Sequence, residues 1–414
     1  MEHLLKPTPL KNKFITPGVM ILIVLVLNGF VFLAIRLLYG LGAVTNLDAQ
    51  HPWGIWIAID VACGVALAAG GFTTAALSHV IHRDKYEALI RPALLTAMLG
   101  YTFVAFGVMI DLGRWYSIWH PLIYWNGNSP LFEVGICVMF YLTVLYIEFL
   151  PLVTERFIGK VFLPGILASL NKPIDALLRA FSRGLSKTMF IFVISGVVLS
   201  TLHQSSLGTL MIVAESKVHP LWHTPILPLL FLLSAIAVGF PMVIFESLIA
   251  SRSFKQKPEL HLLSSLARII GPLLFIYFSF KIGDMVIRGT YIYLTEVNSV
   301  SIMFAIEVVF GIIIPLRMFF SDKVIKTKWG LFTASSLVIF GVVVNRINTF
   351  LVSYNPPYAT KSYFPSIGEI SLTVGMIALL VLLYRAAALI FPVISLPDKG
   401  LVPKSKYEIR GGQS

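Results

Sequence analysis

Polar side chains stranded in apolar sequence mark where this chain does chemistry. Asp60, His203, Lys281, Glu307 and Arg346 come from five different hydrophobic stretches, and Tyr101, Glu133 and Glu148 from two more. A charge inside hydrocarbon is costly and is kept for a substrate, an ion path or a buried partner. Counting residues from the ends of their stretches places the first five in one outer third of a bilayer. An acid, an amine, a guanidinium and an imidazole at one depth can line a polar pocket and exchange protons with what it holds.

Each of these residues also has a plainer reading. Asp60 lies seven residues inside Trp53, about 10 Å deep at 1.5 Å per residue. It is either a helix-packing partner or a group that meets a ligand or a proton. Glu133 follows Pro130 in a first helical turn, where the helix dipole alone favours an acid. Asp111 and Arg114 have the spacing of an ion pair, and Lys281, Asp284 and Arg288 share a face on which they could neutralise one another. The run Thr201-Leu202-His203-Gln204-Ser205-Ser206-Leu207-Gly208 is unusually polar for the end of a membrane helix. Toward the other face, Glu148 and Glu246, with His79 and Arg91, are either snorkelling end residues or steps of a proton route. A quinone headgroup would suit the outer pocket: two carbonyls seek donors, and an acid or histidine supplies protons.

The elements that position these residues follow from composition. The 414 residues are 57% hydrophobic and 13% charged, with a mean hydropathy of +0.85. This is an all-α, polytopic transmembrane bundle. Ten spans are expected at roughly 17–38, 53–80, 89–113, 131–153, 186–207, 225–250, 262–287, 300–320, 328–352 and 367–392. Such lengths exclude an outer-membrane barrel. The organisation expected is a tail and four-helix bundle over 1–153, a cytoplasmic amphipathic loop over 154–185, six further spans over 186–394 and a cytoplasmic tail over 395–414. In the loop, Lys160, Lys172, Arg179 and Arg183 alternate with Phe162, Leu177 and Phe181, as in a helix lying on an anionic leaflet. A partner-docking site is the other reading of that segment.

The net charge of +12 is a topology signal and not a nucleic-acid surface. With span-end residues counted in their loops, 22 of the 32 Lys and Arg fall on the side of the N-terminus. Arg114, Lys217, Arg288 and Lys361 fall on the other. The positive-inside rule then gives both termini in the cytoplasm. The first span is too long for a cleavable signal and reads as an anchor. Outer loops are aromatic (Trp115, Tyr116, Trp119, Tyr124, Trp125), which suits an interfacial belt or a docking surface. Cys63 and Cys137 lie in spans without ligand spacing, which argues against zinc or iron–sulfur sites. Of nine histidines only His79 and His203 fall within the expected spans, at opposite ends, so haem b is not expected.

The stretches HPWGIWIAID, LIRPALLTAMLGY, SPLFEVGI, TLHQSSLGTLM with KVHPLW, and SYFP resemble the NrfD/polysulfide-reductase membrane-anchor family. The likeness is to its larger ten-span branch, typified by the membrane subunit of periplasmic nickel–iron hydrogenases, and runs from about residue 40 to 390. The resemblance implies a subunit without a tightly bound cofactor that reacts with menaquinone or ubiquinone near the outer face of a bacterial inner membrane. It implies as partners a ferredoxin-like iron–sulfur subunit and an extracytoplasmic catalytic subunit, a hydrogenase or another respiratory reductase or oxidase. By the motif matches, Asp60, Tyr101, Glu133 and His203-Gln204 inherit quinone or proton-transfer roles. Depth alone adds Glu307 and Arg346 to the quinone pocket, and Glu148 as proton entry. A passive anchor, a secondary transporter and a dihaem cytochrome are the competing classes, the second disfavoured by the lack of internal repeats.

Overall fold

The computed structural model describes residues 5–80, 86–162 and 165–397. Among them are ten helical segments long and apolar enough to cross a membrane: Pro17–Tyr39, Trp56–Ser78, Ala88–Asp111, Pro130–Phe157, Lys187–Val213, Leu227–Ser253, Leu260–Ile287, Ser299–Phe319, Lys328–Val352 and Ile367–Ile390, numbered here as spans 1 to 10. The protein is an all-α, multi-pass membrane bundle.

Polar residues at the span starts fix where the helices begin. Thr16 accepts from the Val19 amide ahead of Pro17, and Ser129 accepts from Phe132 ahead of Pro130. Ser366 and Glu369 cap span 10 reciprocally. A proline in the first turn lacks only an amide that has no helical partner there. Span 5 is the end of a longer element: the helix Asn171–Val213 has 43 residues, so residues 171–186 are continuous with the span.

Burial grades the spans. Most of span 2 is inside the protein (72% of its central window), whereas span 1 is 17% buried and lies at the periphery against span 10. The span 1–span 10 crossing is a glycine contact: a Cβ at Gly29 would stand 2.9 Å from Gly375 Cα, so side chains on both would force the helices apart. Gly311 and Gly341 bring spans 8 and 9 together in the same way. Large apolar side chains such as Met20, Phe140, Phe190 and Phe275 point outward, as lipid-facing surface requires. Leu5–Pro7 pairs antiparallel with Ser395–Pro397, which puts the first and last described residues side by side.

Three spans depart from α-helical winding beside their polar residues. Trp56–Cys63, Val309–Ile313 and Asn348–Val352 are π-helical. They contain Asp60, follow Glu307 and follow Arg346. A π turn admits an extra residue and re-aims its side chains, which is why it often marks a functional site.

Candidate functional site

The Glu307 carboxylate of span 8 is the centre of one hydrogen-bonded network, whose outlying Arg346 Nε and Asn348 Oδ1 have no partner among the described residues. Lys281 of span 7 donates to Oε1 at 2.6 Å, and Asn345 of span 9 donates to the same oxygen at 2.8 Å. Trp222 Nε1 and Asn348 Nδ2 each donate to Oε2 at 2.8 Å. Arg346 carries the network onward, donating to Asn345 Oδ1 at 2.6 Å and to Ser234 of span 6 at 2.8 Å, with its guanidinium 3.7 Å from the Phe231 ring centroid. Four donors on one carboxylate offset the cost of burying it. Lys281 is thus drawn away from Asp284, which instead pairs with Arg288 at 2.8 Å. The cavity beside Lys281, Trp222 and Asn345 measures about 10 Å³, room for one water.

Asp60 stands apart from that network. It is buried in span 2, and its one hydrogen bond comes from Thr373 of span 10, at 2.7 Å. Gly107 of span 3 packs on it so closely that a Cβ there would lie 3.2 Å from Asp60 Cβ. Nearer the outer face, buried Arg36 of span 1 donates to the Ile110 and Leu112 carbonyls. Among the described residues no ion pair joins Asp111 to Arg114; Arg36 supplies the opposite charge beside Asp111. Glu369 accepts from the Asn46 amide at 3.0 Å, the Ser366 amide at 2.8 Å and the Tyr363 hydroxyl at 2.5 Å. Burial and the Glu369 carboxylate together push the Tyr363 phenol well up from its ordinary value. In the loop before span 2, the amides of His51 and Gln50 hold the Asp48 carboxyl below the usual carboxylate range.

His203 and Gln204 form a third group. Both are fully buried. His203 Nδ1 lies 3.2 Å from the Tyr101 hydroxyl, and Gln204 Nε2 donates to the Val65 carbonyl at 2.7 Å. His203 Nε2 and Gln204 Oε1 have no partner. A buried polar atom without a partner costs about 1–3 kcal/mol. Two adjacent ones are what a site with an absent ligand or water would leave behind. Glu133 is exposed and accepts from Ser206 Oγ at 2.5 Å. Glu148, half-buried on span 4, lies over Gly196 of span 5: a Cβ there would sit 2.9 Å from its Oε1.

Depth separates these groups more than residue counting implies. Span 5 runs to Val213, so His203 is ten residues, about 15 Å, from its outer end. The Gln204–Val65 bond sets the level of His203-Gln204 five residues inward of Asp60, roughly 7 Å deeper. Of the five residues grouped by depth, Lys281, Glu307 and Arg346 meet in one network, whereas Asp60 and His203 each have a separate partner. Cys63, one turn along from Asp60, donates to the Val343 carbonyl of span 9 at 3.9 Å.

An apolar groove opens to the lipid beside Asp60. It has a volume of about 270 Å³ and is lined by Gly29 and Leu33 of span 1, Phe103 and Phe106 of span 3, and Leu372 and Met376 of span 10. Thr373 follows one of these residues and Gly107 another, so the groove wall and the Asp60 contact are built from adjacent positions. At the other face, Glu246 looks toward Thr96 and Tyr384. The His79 side chain lies outside the described residues.

Several contributors escape a reading by residue type. Thr373 and Ser234 look like ordinary helix hydroxyls, and Glu369 looks like a cap. The Asn345-Arg346-Ile347-Asn348 run is a polar stretch in an apolar span, and it was the available signal for the Glu307 network.

Ten spans enclosing hydrogen-bonded charge, an acid behind a lipid-open groove and an open-valence His-Gln pair define an integral membrane protein built around an internal polar site. The chain belongs to the polysulphide reductase, NrfD family, whose model matches residues 43–356. It is 33% identical to the probable Ni/Fe-hydrogenase 2 b-type cytochrome subunit of Escherichia coli strain K12, over 95% of this chain and 96% of that one. A protein of Nitratidesulfovibrio vulgaris is 36% identical over 92% of this chain and 96% of its own length. The integral membrane subunit of menaquinone reductase from the same organism is 30% identical over 59% of this chain and 56% of its own.

The cytochrome name of the first relative invites a test for haem. A b-type haem held by two histidines needs both rings at one depth, facing across the iron. Among the described side chains, those of span histidines are His203 and His261, the latter exposed at the opposite end of its span, roughly 20 Å from the His203 level. The described residues do not fit a bis-histidine haem.

Proposed function

We propose that this chain is the quinone-reactive membrane subunit of a respiratory oxidoreductase complex in a bacterial inner membrane. It passes electrons between an extracytoplasmic iron–sulfur partner and menaquinone or ubiquinone, and it exchanges protons with the quinone. The observation that carries this reading is that Thr373 and Gly107, which contact Asp60, are the chain neighbours of Leu372 and Phe106 in the wall of an apolar groove. An isoprenoid chain suits the groove, and a headgroup carbonyl suits a buried carboxyl that can give up or take a proton. His203 and Gln204 have the open valences that a quinone, or a water ordered beside it, would fill. Glu307 and Arg346 act on the headgroup through the field of their network, with Tyr101, Glu133 and Glu148 as proton carriers. The names of the hydrogenase and menaquinone reductase relatives support the class of complex. Both termini face the cytoplasm in this reading, because the basic loops lie on their side.

The test is quinone binding by the purified chain and by Asp60→Asn and His203→Ala, using 2,3-dimethyl-1,4-naphthoquinone with absorbance spectra alongside. Saturable binding weakened about tenfold by each change, with folded yield retained, is the expected result. Unaltered binding in both variants would move the site elsewhere, and haem absorbance bands would replace the reading with a cytochrome.

A further inference from the structure

Span 5 presents Gly196, Ser200, His203 and Gln204 at i, i+4, i+7 and i+8, the spacing of a single helix face. That face looks onto span 4, which brings Tyr141 and Glu148, and onto span 3, which brings Tyr101. The Glu148 carboxylate covers Gly196 at the inner end of the face, where only a missing side chain leaves it room. One turn further out, the Ser200 hydroxyl is fully buried and faces both the Tyr141 and Tyr101 phenols. The two phenol rings pack edge to face with centroids 4.4 Å apart. The Tyr101 hydroxyl reaches His203 Nδ1 at 3.2 Å, and the far nitrogen of that ring, Nε2, has no partner.

We infer that Tyr141 and Ser200, which no part of the reading above uses, complete a hydroxyl relay from Glu148 to His203 and deliver protons to the quinone from the inner side. This inference rests on the proposed quinone site. Each hydroxyl in the row can accept a proton on a lone pair and release its own, so charge moves outward with only small side-chain movements. A proton taken up at Glu148, whose charge is felt at Tyr141 without a hydrogen bond between them, crosses by way of a water to the Tyr141 hydroxyl, and goes on to Ser200 Oγ, to the Tyr101 hydroxyl and then to His203 Nδ1. The ring releases a different proton from Nε2, toward the bound quinone oxygen. Ser200 is the switch point of the row. Its oxygen forms no hydrogen bond among the described residues, so the row conducts only when a small movement of the Ser200 side chain joins the two phenols through it. A purely packing role does not account for this line of buried hydroxyls, because phenylalanine and alanine would fill the same volumes without an unpaired oxygen.

The experiment uses the full chain in its native complex in inverted membrane vesicles, with 2,3-dimethyl-1,4-naphthoquinone as acceptor. Tyr141→Phe and Ser200→Ala should each lower kcat at least tenfold and raise the ratio of rates in H2O and D2O. Naphthoquinone Kd should change less than twofold, and Ser200→Thr should restore at least half the rate. If the yield of Tyr141→Phe falls, the nearly isosteric Ser200 pair decides the matter. Turnover and isotope ratio equal to wild type in Ser200→Ala would overturn the relay and leave the quinone site standing. Absence of saturable naphthoquinone binding in the wild type would overturn both.

Discussion

The Glu307 carboxylate and the His203-Gln204 pair are equally buried, yet their hydrogen bonds are met to different degrees. Around Glu307 four donors converge on one carboxylate from spans 7 and 9 and from the loop before span 6. Around His203 and Gln204 the protein meets one valence of each side chain and leaves the other open. Four donors on one carboxylate stiffen the helices that carry them, although Arg346 Nε and Asn348 Oδ1 around it have no partner among the described residues. Burial of charge alone therefore does not identify a reactive site in a membrane protein; the partners of each buried group have to be read with it. Asp60 lies between these extremes, with one hydroxyl donor and a groove close behind it.

The sharpest way to break the comparison is to remove the centre of the Glu307 network. Glu307→Ala leaves Lys281 buried without its partner, which costs about 3–5 kcal/mol for pairs of this kind. The expected outcome is loss of most folded protein from the membrane, read by fluorescence-detected size exclusion. Normal yield with lost quinone reduction would instead give Glu307 a direct reactive role. Thr373→Val should have an intermediate effect. It removes the donor to Asp60 while keeping the shape, a loss of about 1.5–3 kcal/mol for a hydrogen bond to a charged group. Quinone affinity should fall several-fold together with a fall in thermal stability, and a stability loss without an affinity loss would make the contact a mere helix clamp. The smallest effect is expected at the rim. Amide hydrogen bonds lower the Asp48 carboxyl in the folded state, so the stability they contribute is present above the unfolded carboxylate range. It is lost as pH falls through the lowered folded value. Asp48→Asn should therefore flatten the fall of Tm as pH drops below the ordinary carboxylate value of about 3.9; a slope identical to wild type would place that acid sensitivity elsewhere.

Much of the fold was legible because a bilayer imposes length and apolarity on each span, so that ten runs of side chains declare themselves. The end of span 5 was not. The Thr201–Gly208 run reads as the exit from the membrane because hydropathy treats every residue as facing lipid. Here the polar side chains turn inward, and the helix continues to Val213. The same inward turn hid the site's partners. Asp60, His203 and Glu307 stood out as residue types, but what distinguishes them is what they touch: Thr373 lies 313 positions from Asp60, and Trp222 lies 85 from Glu307. No spacing rule reaches across such separations. Lys281 was legible as a charge but not as Glu307's partner, since its own helix face offered Asp284.

The Gly29–Gly375 crossing bears on how the molecule is made. Span 1 takes its main helical neighbour from span 10, which is made nine spans later. Until span 10 has been made, span 1 must reside in lipid with its future contact face bare. It is equipped to wait, being the most apolar of the ten and the least enclosed by protein. The joining of spans 1 and 10, and the pairing of Leu5–Pro7 with Ser395–Pro397, are thus late steps of assembly. A chain truncated before span 10 would keep its first helix inserted and undocked, a state that the cell's membrane quality control could distinguish from the finished protein.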